Sequence, residues 1–509
     1  MGFLEERDLT NVPTIPEFYK GKTIFITGGT GFMGKVLIEK LLYSCTDLER
    51  IYLLIRSKKG DNPNERLKKL YSLTCFDRLR KERPGIFHSK VFVVSGDASQ
   101  PGLGLSMEDR ALITGNVNIV FHVAASVRFH DPLPISAAMN MRSTIEVLEI
   151  AKEITNLNVL VHVSTAYSNA KYDPIEEKMY PPYADWRETL NICENTDKKT
   201  LQCLTPKYVG GLPNTYVFTK QLAEHIVYEQ RGKLPIIITR PSVVISSLVE
   251  PVPGWIENFN GPVGLIIGVG LGVIRCIYST NDFSADFVPV DGCIRHFITA
   301  AWIRGTKKLE PSDDIEIYNC CSKERITNRL LVDYGKETCP DIPFENTIWT
   351  LDCIMTTSKY IYYFMLIFAH IIPALFLDTI LWMSGKEPRL LKLQRKIFVS
   401  NVAIQTFLLR EWIFVTDNFH KLRSCIKKED LQEFYYDFKG FMTKEHFISC
   451  LWSGKRYLMN DKDENLPQAK AHMKRIIIAD KILRYAMYTF VAWAFIKSNF
   501  VLRLYQNMI

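Results

Sequence analysis

The sequence predicts a doubly wound α/β fold, a parallel sheet with helices on both faces, followed by a mainly helical C-terminal region. Three observations predict it. Short apolar, β-branched runs recur through the first half of the chain with helical patterns between them. A glycine-rich turn joins the first of these runs to an amphipathic stretch. From about Asp313 the pattern changes to helical and aromatic-rich, with two long apolar segments.

The first strand, Thr23-Ile24-Phe25-Ile26, runs into Thr27-Gly28-Gly29-Thr30-Gly31-Phe32-Met33-Gly34, which opens the helical stretch Lys35 to Leu42. Strand, glycine turn and helix in that order build a Rossmann-type anion site. Gly28 permits the tight turn, Gly31 lets a pyrophosphate approach the backbone, and Gly34 lets helix pack on strand. Thr27, Gly28, Thr30, Gly31, Phe32, Met33 and Gly34 are therefore candidate dinucleotide-binding residues.

The second strand, Ile51 to Ile55, is followed by Arg56-Ser57-Lys58-Lys59, where an NAD enzyme would place an acidic residue for the ribose 2′-hydroxyl. Cationic Arg56 and Lys58 match a 2′-phosphate through charge-assisted bonds, which favours NADP(H). A solvated basic turn is the plainer alternative. The runs Val91 to Ala98 and Ile119 to Ala125 read as buried parallel strands. Asp97, Ala98 and Ala124 fall at their C-terminal ends, where a doubly wound sheet puts its ligand. His122 lies inside a strand and reads as packed core.

A fifth strand, Asn158 to Val163, ends in Ser164-Thr165-Ala166, and Tyr216-Val217-Phe218-Thr219-Lys220 leads into a helical pattern. Tyr216 and Lys220, four apart, share one helix face. The ammonium is expected to favour phenolate and lower the tyrosine pKa from about 10, making Tyr216 an acid or base near neutral pH. Lys220 would also hold the nicotinamide ribose. Ser164 or Thr165, with Thr165 preferred, would orient a carbonyl oxygen. Tyr167/Lys171 and Tyr435/Lys439 have the same spacing, but of the three pairs Tyr216/Lys220 stands between the fifth strand and a sixth, Ile236 to Thr239, followed by Arg240-Pro241.

These motifs resemble the extended short-chain dehydrogenase/reductases. The glycine turn, Leu53-Leu54-Ile55-Arg56, His162 to Tyr167 and Tyr216 to Lys220 are similar to animal fatty acyl-CoA reductases. The similarity continues into their C-terminal "sterile" domain at Trp412-Ile413-Phe414, Asn418, Leu422, Asp437 and Gly454 to Leu458, although Lys444 and Phe447 stand where the family often has Trp and Tyr. The resemblance implies NADPH-dependent reduction of a long-chain fatty acyl-CoA to a primary alcohol, with release of CoA, serving wax, ether-lipid or pheromone-type synthesis. It adds Pro241 to the cofactor-binding set. The chain shows no cysteine in a recognisable nucleophile motif, so a covalent thioacyl route is not indicated. The rival readings are a membrane-bound hydroxysteroid dehydrogenase-like reductase, which would not need the C-terminal region, and a catalytically idle dinucleotide-binding scaffold.

At 509 residues and 47% hydrophobic, the chain exceeds one typical domain. The expected division is a reductase domain with its substrate lobe over 1–312, a helical C-terminal domain over 313–480, and a hydrophobic anchor over 481–509. A net charge of +8 suits a polyanionic ligand or an anionic membrane surface. The basic residues are spread out without a groove-reading motif, which argues against nucleic acid. Twelve cysteines occur without a Cys-x-x-Cys pair, and no Asn-x-Ser/Thr site is present. No metal is expected, and the pattern fits a catalytic part in a reducing cytosol. Met1 to Arg7 is not a signal peptide.

Between Ala170 and Pro213 the periodic pattern disappears, and a substrate-covering lid or a disordered surface insertion is expected there. The glycine-dense run Gly261 to Gly272 reads as core or as a loop on an acyl chain. Tyr360 to Met383 is long and apolar enough to cross a bilayer, but holds His370, Pro373 and Asp378; it reads as a membrane-contacting helix or a span. Tyr485 to Leu502, behind Lys474, Arg475, Lys481 and Arg484, reads as a C-terminal anchor or as a packed amphipathic helix. The endoplasmic reticulum membrane, with the catalytic part cytosolic, is the expected location. The C-terminal Asn507-Met508-Ile509 is no peroxisomal import tripeptide, and the peroxisomal membrane is the alternative. Oligomeric state is left open.

Overall fold

The structure, a computed structural model, describes residues 11–58, 60–259, 262–282 and 284–497. The readings placed on Met1 to Arg7, Lys59, Gly261, the last part of the apolar tail and Asn507 to Ile509 lie outside the described residues. The chain forms two compact units: one comprises 1–256, 283–326 and 402–450, the other 257–282, 327–401 and 451–509.

The first unit is built on a seven-stranded sheet. Its strands are β1 (Thr23–Thr27), β2 (Arg50–Ile55), β3 (Val91–Ser95), β4 (Ile119–His122), β5 (Val159–Val163), β6 (Ile236–Pro241) and β7 (Glu316–Cys320), in the spatial order β7-β6-β5-β4-β1-β2-β3. Every pairing is parallel, with Thr27 opposite Leu54 and His122, and Cys320 opposite Pro241. A parallel sheet covered on both faces demands nearly continuous apolar strands, and β1, β5 and β6 are buried along their whole length. Helices α1 (Phe32–Ser44) and α4 (Val290–Gly305) pack together, as do α2 (Ser143–Glu153) and α3 (Thr215–Tyr228). The strand order reverses beside β1, which is where a doubly wound sheet opens a crevice at its C-terminal edge.

Two expectations change. Glu316–Cys320 falls within the region read as helical, yet it forms the edge strand of the sheet: Ile317 and Tyr318 are buried and the backbone pairs with β6. The stretch from Ala170 to Pro213 is not structureless, since it holds the helices Trp186–Asn195 and Lys198–Tyr208. Asp185 and Asp197 cap them by accepting from backbone N–H groups, so polar residues that suggest a loop are helix starts.

In the second unit, the glycine-dense run forms the helix Pro262–Gly270, and Ile267 packs in a small core with Cys339, Phe344 and Leu451. Among the described residues, one helix is long and apolar enough to cross a membrane, α5 (Lys359–Met383). Its polar residues have partners: Asp378 accepts from the N–H groups of Arg389, Leu390 and Leu391, and His370 Nε2 accepts from Arg275 N–H. Its apolar side chains, among them Phe364, Phe368, Leu375, Phe376 and Trp382, are exposed.

Candidate active site

The glycine turn between β1 and α1 has the geometry that an anion site requires. Gly28 takes φ +78°, and a Cβ there would lie 2.6 Å from the Ala124 nitrogen at the end of β4. A Cβ on Gly34 would collide with the Gly28 carbonyl oxygen, so α1 can start this close to the turn with glycine alone. Gly31 precedes α1 with no side-chain cap, which leaves the first N–H groups of the helix without an intrahelical partner. The Thr27 hydroxyl bonds His122 Nδ1 at 2.7 Å and tethers β1 to β4. Burial holds His122 down to about 3, with Lys220 acting in the same direction, so the imidazole is a neutral core residue.

At the ends of β2 and β3, Arg56 Nη1 lies 3.6 Å from Asp97 Oδ2. Burial pushes the Asp97 carboxyl up, but hydrogen bonds from the Ser99 N–H and hydroxyl and the Arg56 charge outweigh it, so the group sits below the usual carboxylate range. Ala98 is buried beside it, and Lys58 closes a backbone turn with Asp61. The guanidinium is largely exposed at the crevice edge. These features fit a nicotinamide dinucleotide bound at the C-terminal edge of β1, β2 and β4.

The second cluster forms where β5 and β6 end. Thr165, Tyr216 and Lys220 come together there. The Thr165 side chain lies close enough to the Tyr216 phenol to lower its pKa, and its hydroxyl donates to the Pro241 carbonyl oxygen at 3.5 Å. Lys220 Nζ donates to the Val163 carbonyl oxygen at 2.6 Å. Tyr167/Lys171 and Tyr435/Lys439 do not share a helix face: Tyr167 lies in a short turn, Ala166–Asn169, and Tyr435 follows the helix Leu431–Phe434.

The expected sharpening of the phenol is not found. Burial pushes Tyr216 up to about 12, with the Thr165 hydrogen bond acting against it, because the Lys220 ammonium is turned to the Val163 carbonyl. Burial in turn lowers Lys220 to about 8, opposed by the Glu224 carboxylate. Tyr216 therefore keeps its proton near neutral pH and is not a ready phenolate.

Ser164 and Thr165 take different surroundings. The Ser164 hydroxyl donates to Glu224 Oε1 at 2.5 Å, and Ser168 donates to the same oxygen at 3.0 Å. Arg240 completes the group with Nη2 at 2.7 Å from Glu224 Oε2, both side chains being fully buried. Burial favours a neutral Glu224, but Arg240 and the two serines outweigh it and hold the carboxyl below its usual range. Glu224 was not among the sequence candidates, although its position four residues after Lys220 on the same helix was readable. An aromatic wall was also missed: the Phe129 ring lies 5.6 Å from Tyr216 and 5.4 Å from Phe407, and Tyr167 packs edge-on against Phe407, Trp412 and Phe414. Its members are scattered from 129 to 414, so no local pattern shows it.

The chain is similar to known proteins along most of its length. Residues 26–297 match the NAD-binding family described as male sterility protein, and residues 369–461 match the Sterile family, also described as male sterility protein. Fatty acyl-CoA reductase 1 of Mus musculus is 36% identical over 467 residues, covering 91% of this chain and 90% of that protein. Fatty acyl-CoA reductase wat of Drosophila melanogaster is 36% identical over 489 residues, covering 96% and 94%. Among solved structures, the reductase domain of a nonribosomal peptide synthetase from Mycobacterium tuberculosis superposes with a TM-score of 0.58 at 18% identity, over 89% of this chain and 94% of that one. The terminal R domain from the myxalamid biosynthetic pathway gives 0.54 at 19% identity, over 87% and 93%. Both share the fold. With a glycine turn, a Tyr–Lys helix and relatives aligned along nearly its whole length, the chain belongs to the fatty acyl-CoA reductase family, a nicotinamide-dinucleotide-binding branch of the doubly wound oxidoreductases.

Proposed function

We propose that this protein reduces a long-chain fatty acyl-CoA to the primary alcohol with NADPH, releasing CoA. One observation carries the reading: Thr165, Tyr216 and Lys220 meet at the C-terminal edge of β5 in a chain 36% identical to fatty acyl-CoA reductases over 91% of its length. When bound, a reduced nicotinamide supplies one hydride, so two molecules are used in turn, one for thioester to aldehyde with loss of the CoA thiolate and one for aldehyde to alcohol.

The chain's own residues do the rest. Thr165 and Tyr216 donate hydrogen bonds to the carbonyl oxygen and stabilise the negative charge that grows there. The Tyr216 proton goes to the alkoxide oxygen of the final reduction; a phenol near 12 is acidic enough to give it up to an alkoxide. Lys220, fixed to the end of β5 through the Val163 carbonyl, holds the nicotinamide ribose. Ser164 is a positioning residue, tying the β5 end through Glu224 to Arg240 of β6. Thr27, Gly28, Thr30, Gly31, Phe32, Met33 and Gly34 would hold the diphosphate, Arg56 and Lys58 the 2′-phosphate, and Asp97, Ala98, Ala124 and Pro241 would line the crevice. Exposed Arg56 beside the crevice supports NADPH over NADH.

As regions of sequence, we assign reductase chemistry to 1–312, a helical accessory role to 313–480 and attachment to 481–509. The exposed apolar side of α5 supports a membrane-associated protein, with the endoplasmic reticulum, catalytic part in the cytosol, preferred over the peroxisome. The test is incubation of the purified protein with NADPH and palmitoyl-CoA, with hexadecanol and free CoA read by mass spectrometry. Alcohol formation supports the reading; NADPH oxidation with a steroid substrate and none with acyl-CoA overturns it.

A further inference from the structure

Outside the crevice, the first unit carries a cleft of about 610 Å³ at the C-terminal end of β7. Helix α6 (Asp417–Ser424), which packs on β7, forms one wall. Cys321 and Ser322 form the floor, and the stretch around Tyr435 to Lys439 the other wall. Four cationic side chains line it: Lys323, Lys421, Arg423 and Lys439. Three carboxylates, Glu324, Asp417 and Asp437, line it too, and Arg423 Nη1 pairs with Asp437 Oδ2 at 3.4 Å. Lys323 and Lys439 make no ion pair among the described residues.

A second feature points to a ligand. His420 lines the cleft with both ring nitrogens buried and, among the described residues, without a hydrogen-bond partner. Buried polar atoms are normally satisfied, and one left open beside cations is suited to an acceptor-rich group. Burial, then Arg423 and Lys323, favour its neutral form, which keeps one N–H to donate and is what an incoming anion would reverse.

The cleft is close to the chemistry. Cys320 pairs with Pro241, whose carbonyl accepts from Thr165. Asp286 then links the end of β6 to the floor, taking the Ser242 hydroxyl and the Ser322 N–H on the same carboxylate oxygen. The floor therefore begins two strands from Thr165, roughly 10 Å at ordinary strand spacing. In an acyl-CoA, a flexible pantetheine arm separates the thioester from a diphosphate and a 3′-phosphorylated ribose. A thioester held at Thr165 and Tyr216 puts those phosphates in reach of the cleft. We propose that this cleft holds the phosphates of the CoA moiety of the substrate, with Lys323 and Lys439 as the free cations and His420 as a donor. The site rests on the acyl-CoA reading above and names the part of the substrate that the catalytic cluster does not touch.

The experiment uses the full chain and two thioesters, palmitoyl-CoA and S-palmitoyl-N-acetylcysteamine, which carries the same acyl group without nucleotide or phosphate. In the Lys323→Glu/Lys439→Glu variant, KM for palmitoyl-CoA should rise about tenfold with kcat little changed. KM for the truncated thioester and for NADPH should stay as in the wild type. Added salt should raise the wild-type KM for palmitoyl-CoA and not that for the truncated thioester. An unchanged palmitoyl-CoA KM, an equal rise for both thioesters, or a rise in the NADPH KM alone overturns the site. If the double variant is inactive on both thioesters, Lys323→Gln is read by the same criteria. A wild type that reduces neither thioester overturns the acyl-CoA reading and the site with it.

Discussion

Burial sets the chemistry of the two residues at the centre of the candidate site, and it moves them in opposite directions. Tyr216, up to about 12, keeps its proton across the neutral range; Lys220, down to about 8, loses its own at mildly alkaline pH. If the ammonium is needed, kcat/KM should fall as pH rises through about 8, and this limb should be absent in Lys220→Arg, where the charge does not titrate. Tyr216→Phe should lower kcat by two to four orders of magnitude, roughly the contribution of a positioned general acid, with little change in NADPH affinity. Thr165→Ala should also damage kcat, and more than Ser164→Ala, whose hydroxyl is held by Glu224. The Tyr–Lys spacing and the Ser–Thr strand end were legible because one helix face and one strand end fix them locally. The direction of the tyrosine shift was not, since it depends on where the Lys220 Nζ points, and the Val163 carbonyl decides that.

At the scale of elements, the first strand, glycine turn and α1 were readable residue by residue, because Gly28 and Gly34 each meet a backbone contact that a side chain would block. Gly34→Ala should therefore abolish NADPH binding in a fluorescence titration while the rest of the sheet still folds. The seventh strand was not legible: Glu316–Cys320 is short and lies beyond a long excursion from β6, and only pairing with β6 makes it a strand. The helices capped by Asp185 and Asp197 were hidden by polar faces that look like loop. Between α3 and β6, Glu224 and Arg240 form a fully buried ion pair. Glu224→Gln would strand the arginine and should destabilise the protein by about 3–5 kcal/mol in denaturant melts. Because the folded carboxyl lies below its usual range, that stability is present above pH of about 4.3 and is lost as pH falls through the lower folded value.

For the whole molecule, the family relationship spans nearly the full chain, so the C-terminal region belongs to the enzyme's design and is not an appendage. The apolar helix α5 was plain in the sequence; that Asp378 and His370 have partners within their own unit was not, and it removes the main objection to lipid contact. Phe364→Glu/Phe368→Glu should weaken flotation with phosphatidylcholine vesicles, since each buried carboxylate costs about 2.5–3.5 kcal/mol in a bilayer. Turnover of detergent-dispersed substrate should persist. The most direct test of the central claim follows the hydride itself. With NADPH carrying deuterium at the transferable C4 position and palmitoyl-CoA as substrate, the wild-type protein should yield hexadecanol with two deuteriums at C1, and Tyr216→Phe almost none. Alcohol without deuterium at C1, or full dideuterated product from Tyr216→Phe, would contradict the account.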